Sequence, residues 1–99
     1  MKLEEFKINI NIGGAVRSED DRPKLSDVQN LKILNISEEN HGRDAMIELE
    51  DGKKVFIGSN GIVQEQCLKE MIEVIQRDYL NKELKEIIDR EFCLARRIK

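Results

Sequence analysis

Tryptophan is absent from this chain of 99 residues, aromatic residues make up only 4%, and proline and histidine occur once each. A core without large rings must be built mainly from isoleucine, leucine and valine, and a chain of this length fits one domain with a modest core. We therefore expect a single domain over 1–99. Its parts are a β-rich part at 1–58, with a long loop at 13–30, and a helical part at 59–99.

Long hydrophobic runs are also absent. No stretch reaches the ~18 apolar residues of a membrane-spanning helix, and the residues from Met1 to Glu5 lack the apolar run of a signal peptide. Charged residues make up 37% with a net charge of −3, so there is no basic excess for a nucleic-acid polymer. We expect a cytoplasmic protein with neither a membrane nor a nucleic-acid partner. Cys67 and Cys93 form no CxxC pair and are expected to be separate buried thiols rather than a disulfide.

Strand patterns fill the first half of the chain. Apolar and polar residues alternate from Phe6 to Ile12, and again on both sides of Asp51-Gly52. An Asp-Gly pair between two alternating runs predicts a tight hairpin in which both turn residues have positive φ. Residues 31–36 predict another strand, with Leu31 and Ile33 on one face and Leu34 and Ile36 on the other. The pattern indicates an α+β fold, with a small antiparallel sheet of about four strands followed by two C-terminal helices.

The apolar stripe of the helical part changes sides. Residues 68–79 and residues 80–95 each repeat apolar side chains at three- and four-residue steps, but the two faces point roughly 160° apart at about 100° per residue. We therefore predict helices near 62–79 and 82–97, separated by a break near 79–82. The second helix either folds back or docks on another subunit. We favour a homo-oligomer whose interface contains Leu84, Ile87, Ile88 and Phe92.

No catalytic or metal-binding motif is recognisable. His41 lies in the turn sequence Asn-His-Gly, and one histidine with two separated cysteines offers no metal-ligand spacing. The acidic clusters at 19–21 and 38–39 lack the EF-hand pattern, and Gly13-Gly14 lacks the P-loop pattern. We predict no catalytic residues, no metal and no cofactor.

Two basic groups are candidates for anion binding, because guanidinium groups match phosphate and carboxylate. The first is in the long loop and the second is at the C-terminal end. They consist of Arg17, Arg22 and Lys24, and of Arg96 and Arg97.

Three functions follow from these features. The favoured one is a non-enzymatic interaction, regulatory or inhibitor protein that acts as a homo-oligomer and binds a protein partner. The alternative is an oligomer that sequesters an anionic small ligand such as a nucleotide, and a second alternative is a small enzyme that uses His41. Small motif-free chains rich in lysine, glutamate and isoleucine are common in bacterial accessory genomes and phages, so we expect such an origin.

Overall fold

A four-stranded antiparallel sheet forms the centre of the computed structural model, which describes residues 1–11, 23–61 and 64–93. The strand order is β1-β4-β3-β2, and the predicted small α+β fold is confirmed. The strands are β1 (Lys7–Asn11), β2 (Ile33–Glu39), β3 (Asp44–Leu49) and β4 (Lys54–Gly58). The helices are the single turn α1 (Leu25–Val28), the long α2 (Glu65–Asp78) and the single turn α3 (Lys85–Ile88). No helix among the described residues is both long enough and apolar enough to cross a bilayer.

One face of the sheet carries the core. Because side chains alternate along a strand, residues directly opposite on neighbouring strands share a face. Ile10, Val55, Ile47 and Ile36 stand in one such row across all four strands, and all are buried. Helix α2 packs on this face. The buried side chains of α2 recur at one-, three- and four-residue steps and are Cys67, Leu68, Met71, Ile72 and Ile75.

A β-bulge in β2 changes the faces that the alternation predicts. Ile33 pairs with Leu49, but Asn35 pairs with Glu48, so Leu34 is an extra residue on this strand. The shift places Ile33 and Ile36 on the same core face and turns Leu34 outwards, where its side chain is 48% exposed. The predicted grouping of Leu34 with Ile36 is therefore wrong.

The hairpin between β3 and β4 is confirmed, but its turn is one residue longer than predicted. The Gly52 N–H donates to the Leu49 carbonyl at 3.1 Å, and the Leu49 N–H donates to the Lys53 carbonyl at 2.9 Å. Only Gly52 has positive φ, at 87°, whereas Asp51 does not. This is the three-residue hairpin in which a glycine follows a type I turn. The Lys53 ammonium hydrogen-bonds the Asp51 carboxylate and lowers the pKa of that carboxyl below its ordinary value.

The chain reverses after α2, near the predicted break, and of the two predicted alternatives it follows the one in which the chain folds back. Asn81 has φ of 68°, a left-handed conformation that asparagine tolerates better than most residues. The segment that follows pairs with the start of β2: the Asn81 N–H donates to the Ile33 carbonyl at 2.7 Å, and the Ile33 N–H donates to the Lys82 carbonyl at 2.8 Å. Helix α3 spans only Lys85–Ile88, so the helix predicted at 82–97 is much shorter, and 94–97 lies outside the described residues.

The four residues predicted to form a subunit interface lie in the core of the chain itself. The reversal at Asn81 turns their side chains back towards the sheet, so that each is at most 9% exposed. They are Leu84, Ile87, Ile88 and Phe92. Because these side chains are already covered within one chain, they are not available for a subunit contact, and the change of apolar face no longer supports an oligomer.

A disulfide joins Cys67, in the first turn of α2, to Cys93 near the end of the described chain. The two Cα atoms are 4.4 Å apart, and both side chains are buried. The expectation of separate thiols is corrected, because the reversal of the chain brings together two residues that are 26 positions apart. The cysteines therefore no longer support a cytoplasmic location, which stays a prediction.

The segment before Cys93 is also tied to the start of the chain. The Phe92 N–H donates to the Met1 carbonyl at 2.9 Å, and the Met1 ammonium lies 2.7 Å from the Glu91 carboxylate. The rings of Phe6 and Phe92 meet edge to face, with centroids 6.1 Å apart. Together these contacts close the side of the core opposite the β2 edge.

The bulge predicts losses of stability of very different size for two nearby substitutions. Leu34→Ala should change the free energy of unfolding by less than about 0.5 kcal/mol, because the side chain is largely in water. Ile36→Ala should lower it by roughly 2 to 5 kcal/mol, because it leaves a cavity in the core. Urea denaturation of both variants measures this. Equal losses would place Leu34 in the core and contradict the bulge.

The hairpin turn predicts a cost for any side chain at Gly52. A Cβ there meets no atom within 4 Å, so the cost of Gly52→Ala comes from its positive φ alone and should be about 1 kcal/mol. Gly61→Ala is the matched control, because a Cβ at Gly61 also meets no described atom within 4 Å, and Gly61 does not have positive φ. Denaturation curves that coincide for the two variants would show that the turn type is wrong.

Reduction of the disulfide should lower stability. Closing a loop of 26 residues in the unfolded chain corresponds to about 3.5 kcal/mol of stabilisation by the loop-entropy relation. Urea denaturation with and without a strong reductant should therefore separate the two curves for the wild type. The double variant Cys67→Ala/Cys93→Ala should give one curve under both conditions. A wild type insensitive to reductant would mean that the cysteines are not paired.

Candidate interaction surface

The anion-binding prediction falls largely outside the part of the chain that the structure describes. Arg17, Arg22, Arg96 and Arg97 lie in the undescribed ranges 12–22 and 94–99. Lys24 is exposed and precedes α1, where its backbone N–H donates to the Asp27 carboxylate at 2.7 Å. Anion binding by either of the two basic groups stays a prediction.

His41 lies in an exposed hairpin loop between β2 and β3. Asn40, His41 and Gly42 all have positive φ, at 52°, 57° and 85°. Such a run of left-handed residues turns the chain sharply between two paired strands. Within the described ranges, no three histidine, cysteine, aspartate or glutamate side chains come together to hold a metal ion.

The second face of the sheet is not covered by any helix of the described residues. We call it the open face. Strand register places its side chains in three rows across β1, β4, β3 and β2, in that order. The end row is Lys7, Gly58, Asp44 and Glu39; the middle row is Asn9, Phe56, Met46 and Ser37; the other end row is Asn11, Lys54, Glu48 and Asn35.

Two large apolar side chains occupy the centre of the open face. Phe56 and Met46 are direct cross-strand neighbours on β4 and β3, and both are half-buried. Polar Asn9 and Ser37 lie at the two ends of the same row. A ring and a thioether surrounded by polar side chains is the composition typical of protein interfaces.

Charge on the open face is divided between its two halves. The β1–β4 half carries the cations Lys7 and Lys54, and the β3–β2 half carries the anions Glu39, Asp44 and Glu48. Among the described residues, the ion pairs of the chain lie elsewhere, at Arg77–Asp78 and Lys53–Asp51 for example. The neighbouring Arg77 guanidinium hydrogen-bonds Asp78 and lowers the pKa of that carboxyl. None of the open-face charges is thus ion-paired with another described residue.

A shallow depression of about 550 Å³ lies at one end of the open face. Gly58 shapes it, because a Cβ at this position would stand 2.7 Å from the Asp44 carboxylate. The other oxygen of Asp44 accepts from the Asn40 side chain at 3.3 Å. Glu39 and Asp44 bring two carboxylates to the lining against the single ammonium of Lys7.

A second groove runs between β2 and α2 and is smaller, at about 310 Å³. The Gln76 side chain closes part of it by donating to the Ile36 carbonyl at 3.2 Å. Its rim mixes Glu38, Glu73 and Lys69. The Gln76 contact satisfies one backbone acceptor on the outer edge of β2.

Sequence reasoning did not identify the open face as a candidate site. The signal was present in the outward positions of the alternating strands, where Met46 and Phe56 are apolar although their polar neighbours predict a solvated face. The Asp51-Gly52 hairpin pairs the two strands so that Met46 and Phe56 lie directly opposite each other. The rows across β1 and β2 need the sheet order and the bulge, which the pattern alone does not provide.

Comparison with known proteins found no matching family model, no matching curated protein and no matching solved structure.

Proposed function

We propose that this chain is a non-enzymatic interaction protein, a regulator or inhibitor that binds another macromolecule through the open face of its sheet. The observation that carries the proposal is the Phe56–Met46 pair, half-buried at the centre of a face that no described helix covers. Aromatic residues and methionine are enriched in protein interfaces, where they form an apolar centre within a polar rim.

The shape of the open face favours a broad partner. Two sheets pack face to face at about 10 Å, with side chains of both faces interdigitating, and this geometry needs a flat, uncovered sheet. A small ligand is usually held in an enclosed cavity that surrounds most of its surface. The depression beside Asp44 is open and carries an excess of carboxylates, so this depression gives an anionic ligand no net attraction. A groove of about 590 Å³ beside β1 is lined by Lys7 and Lys24, and it is the described surface that fits the anionic-ligand alternative.

A photo-crosslinking amino acid tests the proposal in the cells that make the protein. Placed at position 56, the crosslinker should form a discrete adduct. Mass spectrometry then identifies the crosslinked partner. Placed at position 80, it should form none, because Leu80 is exposed at the turn after α2 and away from the sheet face. Both variants should keep the wild-type melting temperature within a few degrees.

The adduct also separates the alternatives. A nucleotide-sized adduct would support ligand sequestration instead. The absence of any adduct at position 56, or the same adducts from positions 56 and 80, would contradict binding through the open face.

A further inference from the structure

We propose that the partner of the open face is a second copy of this chain, with the two sheets packed face to face about a two-fold axis that runs along the strands. The inference rests on the proposed function, since it names the partner of the same surface. It differs from the interface predicted from the sequence, because the residues of that interface are buried within one chain.

The sheet order fixes which strands would meet. A half-turn about an axis along the strands, midway between β4 and β3, places β1 over the partner's β2 and β4 over the partner's β3. The three rows keep their order under this rotation, so each side chain meets a side chain of the same row. The rotation of about 30° that packed sheets usually adopt leaves the centre of the face in register.

Opposite charges meet in this arrangement. Lys7, at the β1 end of its row, lies over the partner's Glu39, at the β2 end of the same row. Lys54 on β4 lies over the partner's Glu48 on β3. Two-fold symmetry makes each of these two contacts twice. The third anion of the face, Asp44, lies over the partner's Gly58 and has no cation opposite it. None of these four side chains forms an ion pair with the described residues of its own chain.

The uncharged positions match as well. Phe56 on β4 meets the partner's Met46 on β3, which joins four apolar side chains at the centre of the dimer. Asn9 meets the partner's Ser37 in the same row, and both side chains can donate and accept hydrogen bonds.

The other face-to-face axis fails on charge. A half-turn about an axis across the strands would place each strand over the same strand of the partner. Each end row would then lie over the opposite end row of the partner. Asp44 would then lie over the partner's Glu48, twice, within the acidic half of the face. Like charges brought together in this way disfavour association. The charge pattern therefore selects the axis along the strands.

The size of the face indicates a reversible dimer. Four strands at about 4.8 Å and five residues at about 3.3 Å cover roughly 20 by 17 Å. Interfaces of this size belong to the weaker class and dissociate on dilution. The association must therefore be followed over a series of protein concentrations.

Charge reversal at Lys7 and Glu39 tests the pairing by sedimentation velocity. Each of Lys7→Glu and Glu39→Lys, studied alone, places like charges at both symmetric contacts and should raise the dissociation constant about tenfold or more. An equimolar mixture of the two variants should recover the dimer. In the mixed dimer the two substituted side chains meet with opposite charges at one contact, and the native Lys7 meets the native Glu39 at the other.

The two positions are suited to this test. They lie on opposite edge strands, about 14 Å apart within one chain, so each reversal changes the chain itself little. Both side chains are exposed, and thermal melting confirms that the variants fold. Lys69→Glu, an exposed reversal on α2, which packs on the opposite face of the sheet, is the matched control and should dimerise like the wild type.

Three results would overturn the inference: a wild type that stays monomeric at the highest concentration, single variants that dimerise normally, or a mixture that does not recover. The crosslinker at position 56 then separates the two proposals. An adduct with a different macromolecule would leave the proposed function standing while the dimer fails. No adduct would overturn both.

Discussion

The four-stranded sheet carries its buried apolar side chains on one face, and the described helices cover that face alone. Ile10, Val55, Ile47 and Ile36 form a continuous apolar row there, under α2. Alternation along the strands then determines what stands on the opposite face, because every second residue must point away from the core. The open face and its mixed composition are thus a consequence of covering a sheet with a single layer of helix.

The core is closed by the part of the chain that reverses direction. The left-handed Asn81 sends the chain back along the start of β2, and this turns Leu84 and Ile87 into the core. The Phe92 N–H then reaches the Met1 carbonyl, and Cys93 is bonded to Cys67 on α2. If the helix continued straight after α2, the apolar stripe of residues 80–95 would face away from the sheet. Because the chain turns at Asn81, the described part of this stripe faces the sheet.

Much of the fold could be predicted because it depends on local pattern. The alternating strands, the Asp51-Gly52 hairpin and the break after Tyr79 follow from side-chain periodicity and turn chemistry. The bulge at Leu34 could not be read locally, because the extra residue is defined by its pairing with β3. The disulfide also depends on tertiary structure, since Cys67 and Cys93 are brought together only by the reversal.

The candidate site also combines features that local sequence pattern predicts with features that depend on tertiary structure. Phe56 and Met46 could be found from their outward positions, whereas the proposed pairing of Lys7 with the Glu39 of a second copy requires the order of all four strands. An apolar face with no visible partner in the sequence predicts a subunit interface at Ile87 and Ile88, but the reversal of the chain buries both side chains in its own core.

The central claim is that two copies meet through the Phe56–Met46 centre of the open face. An isotope-filtered nuclear Overhauser spectrum of a mixed sample tests it most directly, since it detects contacts only between a labelled chain and an unlabelled one. At millimolar concentration, where a weak dimer is populated, we expect cross-peaks between the Met46 methyl group of one chain and the Phe56 ring of the other. A spectrum without such peaks, or with intermolecular peaks only from side chains outside the open face, would contradict it.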